Sequence, residues 1–116
     1  MIETRRLIIS EAGYSDIPAV IELESHEDNR DYLWIGTEEE HRSEIEDPDH
    51  LLLMFRKKED RKTIGYALVR LNRKSEIFEL RRIAISDKRK GYGRESMKAL
   101  LKYAFEAVSY THLRAH

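Results

Sequence analysis

Three strand-like runs follow one another between His50 and Ser86 with very little between them. His50 to Arg56 is strongly apolar. Thr63 to Asn72 alternates through Ile64, Tyr66 and Leu68, and Glu76 to Ser86 makes a third run. The links, Lys57 to Lys62 and Arg73-Lys74-Ser75, are short and polar. Parallel neighbours need a crossover of about a dozen residues or more, so the three runs are most simply read as an antiparallel meander.

The flanking elements follow from the other period. Arg5 to Ala12 reads as a strand carrying Leu7, Ile8 and Ile9. Ser15 or Asp16 caps a helix with Pro18 in its tolerant first turn and Ile17, Val20, Ile21 and Leu23 as apolar residues. Asn29 to Ile35 and Glu38 to Ile45 read as short, weakly amphipathic helical pieces, the second opened by a Thr37/Glu40 capping box. Asp47-Pro48-Asp49 is a turn. Gly91 to Glu106 is a helix whose apolar residues Met97, Leu100, Leu101, Ala104 and Phe105 share one stripe. The expected fold is α+β (mixed α/β) in the order β-α-α-β-β-β-α, an antiparallel meander packed by helices.

At 116 residues this is one domain, and with 41% hydrophobic residues it can build a core despite 37% charge. Without cysteine it has neither a disulfide framework nor a thiolate metal site, which suits a reducing cytoplasm. The longest aliphatic or aromatic run, Leu51 to Phe55, is too short for a membrane span, and the charged opening is no signal peptide. The expectation is a cytoplasmic protein with no membrane partner. Charge is sorted along the chain: residues 1–50 hold 15 acids and 4 basic residues, residues 51–116 hold 7 and 17. The second half should attract anions and the first half cations.

The densest basic patch lies between a strand and a helix. Glu79-Leu-Arg-Arg-Ile-Ala-Ile-Ser-Asp-Lys-Arg-Lys-Gly-Tyr-Gly-Arg94 runs strand, basic loop, two glycines, helix start. Gly91 and Gly93 let the backbone turn tightly and approach a ligand closely. The helix start adds unpaired N–H donors and a partial positive end, and Lys88, Arg89, Lys90 and Arg94 surround it. That is an anion site. The bland reading of the same residues is a solvated basic turn.

This stretch resembles the cofactor motif of the GNAT N-acetyltransferase superfamily, Gln/Arg-x-x-Gly-x-Gly/Ala, here Lys88-Arg89-Lys90-Gly91-Tyr92-Gly93 with Lys in the first position. The Glu3-Thr4-Arg5-Arg6-Leu7-Ile8-Ile9 opening and the element order are similar too, and look most like the branch that includes the ribosomal-protein N-terminal acetyltransferases. The resemblance implies acetyl-CoA as co-substrate and direct acetyl transfer to a primary amine on a small molecule or a peptide N-terminus. It implies that backbone groups of Ile83 and Ile85 hold the pantetheine arm and that the Ile83 amide steadies the oxyanion. The pyrophosphate would lie on the Lys88 to Arg94 loop, on the amides of Arg89, Gly91, Gly93 and Arg94. Glu79 takes the place where histone-type members carry a general base, and strand alternation puts Glu79, Arg81, Ile83 and Ile85 on one face. The alternative is that Glu79 pairs with a neighbouring arginine such as Arg81, which would make it a poorer base.

The resemblance covers residues 1–106, and the remainder, 107–116, is read as a non-family tail, artefactual or disordered. The family's C-terminal strands, and the tyrosine that protonates the leaving thiolate, are expected to be missing. The strand from Glu76 to Ser86 would then expose an edge open to self-association, and activity would be impaired. An alternative function is a non-catalytic acyl-CoA or anion-binding module. An RNA-binding domain is disfavoured: Lys90-Gly-Tyr-Gly matches the start of an RNA-recognition signature but runs on into a helix, so no nucleic-acid partner is expected. The histidines (26, 41, 50, 112, 116) show no metal spacing, and His41, beside Glu38 to Glu40, reads as a helix-surface residue. Tyr32, Leu33 and Trp34 line an acceptor pocket or pack the core. The acidic runs Glu22 to Asp31 and Glu38 to Asp49 are solvated faces or an attraction for a cationic amine.

Overall fold

The short links between His50 and Ile85 do what their length requires, and the strands on either side of each pair antiparallel. The computed structural model describes residues 2–26, 35–86, 89–106 and 112–115. In chain order the elements are β1 (Ile2–Glu3), β2 (Leu7–Glu11), a 3-10 turn (Tyr14–Asp16), α1 (Ile17–Ser25), α2 (Glu38–Glu46), β3 (His50–Lys57), β4 (Thr63–Asn72), β5 (Ile77–Ile85), α3 (Tyr92–Glu106) and β6 (His112–Ala115). One sheet runs in the order β1-β2-β3-β4-β5-β6. The expected elements appear close to their sequence limits, and β1 and β6 are additional. The helical piece expected at 29–35 falls largely outside the described residues.

Local chemistry sets the helix starts. Asp16 stands at the N-cap of α1 but its side chain makes no capping bond there, accepting from Gly13 N–H and Arg56 instead, and Pro18 lies in the first turn. Thr37 and Glu40 form the expected box at α2: Glu40 N–H donates to Thr37 Oγ1 at 3.1 Å and Thr37 N–H to Glu40 Oε1 at 3.0 Å. At Gly65 on β4 a Cβ would lie 2.6 Å from the Ala84 carbonyl oxygen and 2.7 Å from Ile85 Cδ1, so only glycine lets β4 and β5 approach this closely.

Helices cover both faces. On one, α3 sets Tyr92, Leu100 and Ala104 against Leu7, Ile9, Phe55, Val69 and Phe78. On the other, Val20 and Leu23 of α1 meet Leu52, Met54, Tyr66, Leu68 and Ala84. The buried stripe of α3 is turned from the expected one: Leu100 and Ala104 lie inside, but Met97 and Leu101 are exposed, and Tyr92 and Ser96 are buried instead. The buried Ser96 hydroxyl donates to the Gly93 carbonyl at 3.0 Å.

One irregularity decides the geometry of β5. Leu80 faces Val69, but Leu68 faces Arg82, so Arg81 is an extra residue and the strand bulges there. Past the bulge the alternation shifts. Phe78, Leu80, Ile83 and Ile85 pack toward α3, while Ala84 packs toward α1. Glu79 pairs across β4 with Arg70, and Arg82 reaches Glu24 of α1. Glu79 and Ile83 therefore lie on opposite faces, contrary to the single face that uninterrupted alternation predicts.

Within 107–116, expected to lie outside the fold, His112–Ala115 forms β6, reached through α3 and parallel to β5. It pairs with Ile77 to Leu80 and so covers half of the β5 edge that the sequence leaves open.

Candidate functional site

The other half of that edge points outward in a defined way. Ser86 N–H donates to the Ile64 carbonyl at 2.8 Å, which sets the parity of the β4–β5 ladder. Bonded pairs alternate, so Ala84 with Tyr66 and Arg82 with Leu68 bond across, and Ile83 and Ile85 turn their N–H and C=O groups away from β4. β6 stops opposite Leu80, so from Arg81 to Ile85 that side of β5 has no partner strand among the described residues.

The chain then leads into the glycine loop. Arg89 and Gly91 both have left-handed backbone, φ 67° and 81°, while Lys90 between them does not. Alternation of this kind turns successive N–H groups toward one side and forms an anion-binding nest. For Arg89 the conformation costs about 1 kcal/mol. At Gly93 a Cβ would meet nothing within 4 Å among the described residues, so on their side the first turn of α3 is open. Arg89, Lys90 and Arg94 are exposed around it, while Lys88 lies outside the described residues. Tyr92 is buried and offers the loop only its backbone.

The helix start is pinned from the far end of the sequence. Arg6 Nε donates to Glu95 Oε1 at 2.7 Å and Arg6 N–H to Glu95 Oε2 at 2.9 Å, and the Thr4 hydroxyl also bonds Glu95. The Arg6 guanidinium sits 4.3 Å above the Tyr92 ring. Partial burial by itself would raise the Glu95 pKa, but hydrogen bonds from Thr4 and Arg6 outweigh it and hold this carboxyl below the ordinary range.

The α1/α2 face holds a buried cluster of charged and polar side chains. Glu24, His41 and Tyr66 are all 0% exposed. His41 Nε2 lies 2.8 Å from Glu24 and Nδ1 lies 2.7 Å from Glu44. Tyr66 donates to Glu24 at 2.5 Å, the Gly36 N–H at 3.0 Å, and Arg82 bonds Glu44. Burial disfavours the imidazolium, but the two carboxylates prevail and raise the His41 pKa to about 9. Burial works against ionised Glu24 too, yet bonds from His41, Tyr66 and Gly36 keep its pKa below the usual value. The Tyr66 hydroxyl is pushed up by burial and by Glu24. The expectation that His41 lies on the helix surface is thus overturned. On α2 it shares with Ile45 the stripe turned to the sheet, and the polar face is outermost only where no carboxylate waits inside.

Glu79 is 4% exposed, and Arg81 donates to it at 3.1 Å. Beside it a cavity of about 330 Å³ is lined by Arg70, Arg81 and Arg82 on the strands and by Glu44, Asp47 and Asp49. A larger hollow, about 540 Å³, lies between β1 and α3 and includes neither β5 nor the Gly91 loop. Among the described residues no group of three or more acids and histidines is placed to hold a metal, and no helix is long and apolar enough to cross a membrane.

Among the described residues, Ile83 and Ile85 lie on the open edge of β5, Arg89, Lys90, Gly91, Gly93 and Arg94 lie around the start of α3, and Glu79 lies on the far face of the sheet. Tyr32, Leu33 and Trp34 lie outside the described residues. Sequence reasoning missed Arg6 with Glu95, and the whole Glu24 cluster. Arg6 stood within the opening that resembles the superfamily, but nothing in its spacing announces a partner so far along the chain.

No curated protein matches the chain. Among solved structures, a GNAT-family acetyltransferase from Bacillus anthracis superposes with TM-score 0.79 at 22% identity, over 98% of this chain and 71% of that one. A spermidine N-acetyltransferase from Vibrio cholerae gives 0.78 at 15%, over 97% and 70%. A Vibrio cholerae protein assigned as a ribosomal-protein-serine acetyltransferase gives 0.77 at 17%, over 98% and 71%. At these identities the likeness establishes the fold. A family model for the acetyltransferase (GNAT) domain matches residues 6–116, nearly the whole chain, and the chain belongs to that family.

Proposed function

We propose that the chain binds acetyl-CoA along the open edge of β5 and transfers its acetyl group directly to a primary amine. One observation carries this reading: the outward backbone groups of Ile83 and Ile85, with no strand opposite among the described residues, lead along β5 toward the Gly91 nest. An amide-bearing arm can pair with such an edge as a strand would, and a pyrophosphate suits converging N–H groups ringed by Arg89, Lys90 and Arg94. The bound thioester supplies an activated acyl group. Ile83 N–H donates to its oxygen, where negative charge grows during attack; one donor of this kind is worth ~10²–10³ in rate.

The incoming amine has an ordinary pKa near ~10.4 and must first lose a proton. Glu79 can take it only by giving up Arg81, across the sheet from Ile83. That pairing favours a second reading, an acyl-CoA binder without turnover. Thermal unfolding with acetyl-CoA, followed by assay of CoA release with a panel of primary amines, separates the two. Protection with amine-dependent release is expected, and Glu79→Gln should slow that release at unchanged acetyl-CoA affinity. Protection without release for any amine supports the binder, and no protection sinks both.

A further inference from the structure

Arg82 is the residue immediately after the bulge, and its side chain is held inside: it bonds Glu44 of α2 and lies 3.4 Å from Glu24 of α1. Both ring nitrogens of His41 face carboxylates, which only accept, so His41 bridges Glu24 and Glu44 as a doubly protonated imidazolium. Every element around the bulge contributes: Glu24 from α1, His41 and Glu44 from α2, Tyr66 from β4 and Arg82 from β5. Well-packed apolar residues in place of a buried ionic cluster are often as stable or more so, so stability does not account for this one.

Register does. If β5 lost its extra residue, the pairing of Leu80 with Val69 would continue as Arg81 with Leu68, Arg82 with Ala67 and Ile83 with Tyr66. Arg82 would then enter the apolar α3 face, and Ile83 would occupy a bonded rung with its N–H turned into the sheet. The side chain of Arg82 and the direction of the Ile83 amide are thus coupled through a single residue of register.

We propose that the Glu24–His41–Glu44 cluster is a positioning device: by anchoring Arg82 it holds the bulge and keeps the Ile83 N–H directed at the open edge. His41 is its central positioning residue. The register claim is independent of acetyl-CoA; only its consequence for binding rests on the function proposed above.

The test is carbon-detected NMR of the Arg82–Ile83 peptide group in the full chain, without cofactor, as pH rises through 9. The expected result is a shift of the Arg82 carbonyl carbon with the same midpoint as the His41 ring carbons, and its absence in His41→Gln. Arg82→Met should shift the Ile83 backbone carbons as His41→Gln does, and Arg82→Lys should restore much of the native position. A wild-type peptide group that ignores the His41 titration overturns the proposal, and that measurement needs no variant to fold. A separate acetyl-CoA titration should show binding about fivefold to tenfold weaker in His41→Gln, the loss of one well-directed amide bond. If the carbonyl follows His41 but acetyl-CoA never binds, the positioning device stands and the cofactor reading falls.

Discussion

The two faces of the sheet are held by different physics. Toward α3 the contacts are apolar and adaptable: Leu100 and Ala104 lie on Phe55, Val69 and Phe78, and a change of shape is absorbed by its neighbours. Toward α1 and α2, an apolar layer of Val20, Leu23, Leu52 and Met54 is joined by buried Glu24, His41 and Tyr66, which meet in hydrogen bonds that no neighbour can replace. An apolar face resists loss in proportion to the volume removed. A charged one fails as a unit, because each group left behind is a buried charge without its counterpart.

The largest expected effect breaks the charged face. Glu24→Ala strands His41 and Arg82 and should cost about 3–5 kcal/mol in urea unfolding at pH 7. Leu100→Ala, on the other face, should cost about 2–4 kcal/mol through the cavity it leaves. A cost for Glu24→Ala below that of Leu100→Ala would erase the distinction.

A smaller effect sharpens the comparison through pH. The folded pKa of His41, about 9, lies above its usual 6.5, so its stabilisation is complete below pH 6.5 and is lost as pH rises to about 9. The whole change is on the order of 3 kcal/mol. Unfolding between pH 6.5 and 10 should show this slope in the wild type and a nearly flat profile in His41→Gln. Glu24 and Glu95 work in the opposite sense: their lowered values contribute above the ordinary carboxylate range and are lost as pH falls.

The smallest change in stability has the clearest functional reading. Gly93→Ala adds a methyl group that meets no atom of the described residues within 4 Å and improves helix propensity, a gain of up to ~1 kcal/mol. The same methyl group enters the space proposed for the pyrophosphate, so melting should be unchanged or higher while acetyl-CoA protection is lost. Protection retained at the wild-type level would move the phosphate site away from α3.

How much of this was legible depends on what each feature rests on. The meander and the Thr37–Glu40 box rest on neighbours in sequence, and there the strand limits and turn chemistry agree with the structure; in the glycine loop Gly91 takes the expected tight turn, but its left-handed companion is Arg89 and Gly93 is helical. The bulge does not. Arg81 and Arg82 read as ordinary alternation, and nothing local shows that one of them is extra, because the evidence for a bulge lies in the partner strand. The phase of α3 was hidden for a similar reason: Met97 and Leu101 fit the period as well as Tyr92 and Ser96 do, and the choice is made by the sheet beneath. His41 looked exposed because the glutamates around it did. Its partner Glu24 is 17 residues away on another helix, and a buried ion pair gives no periodic signal.

The bond between Arg6 and Glu95 joins residues 89 apart in a chain of 116. During synthesis the glycine loop leaves the ribosome well after Thr4 and Arg6, and its helix start gains their three bonds only when α3 has packed against the sheet beside the β1–β2 link. Closing so long a loop is slow compared with forming the meander between β3 and β5. The part proposed to grip the phosphates therefore takes its final shape only with this contact made, and the affinity of a partly unfolded chain for an anion is expected to report whether Arg6 and Glu95 have met.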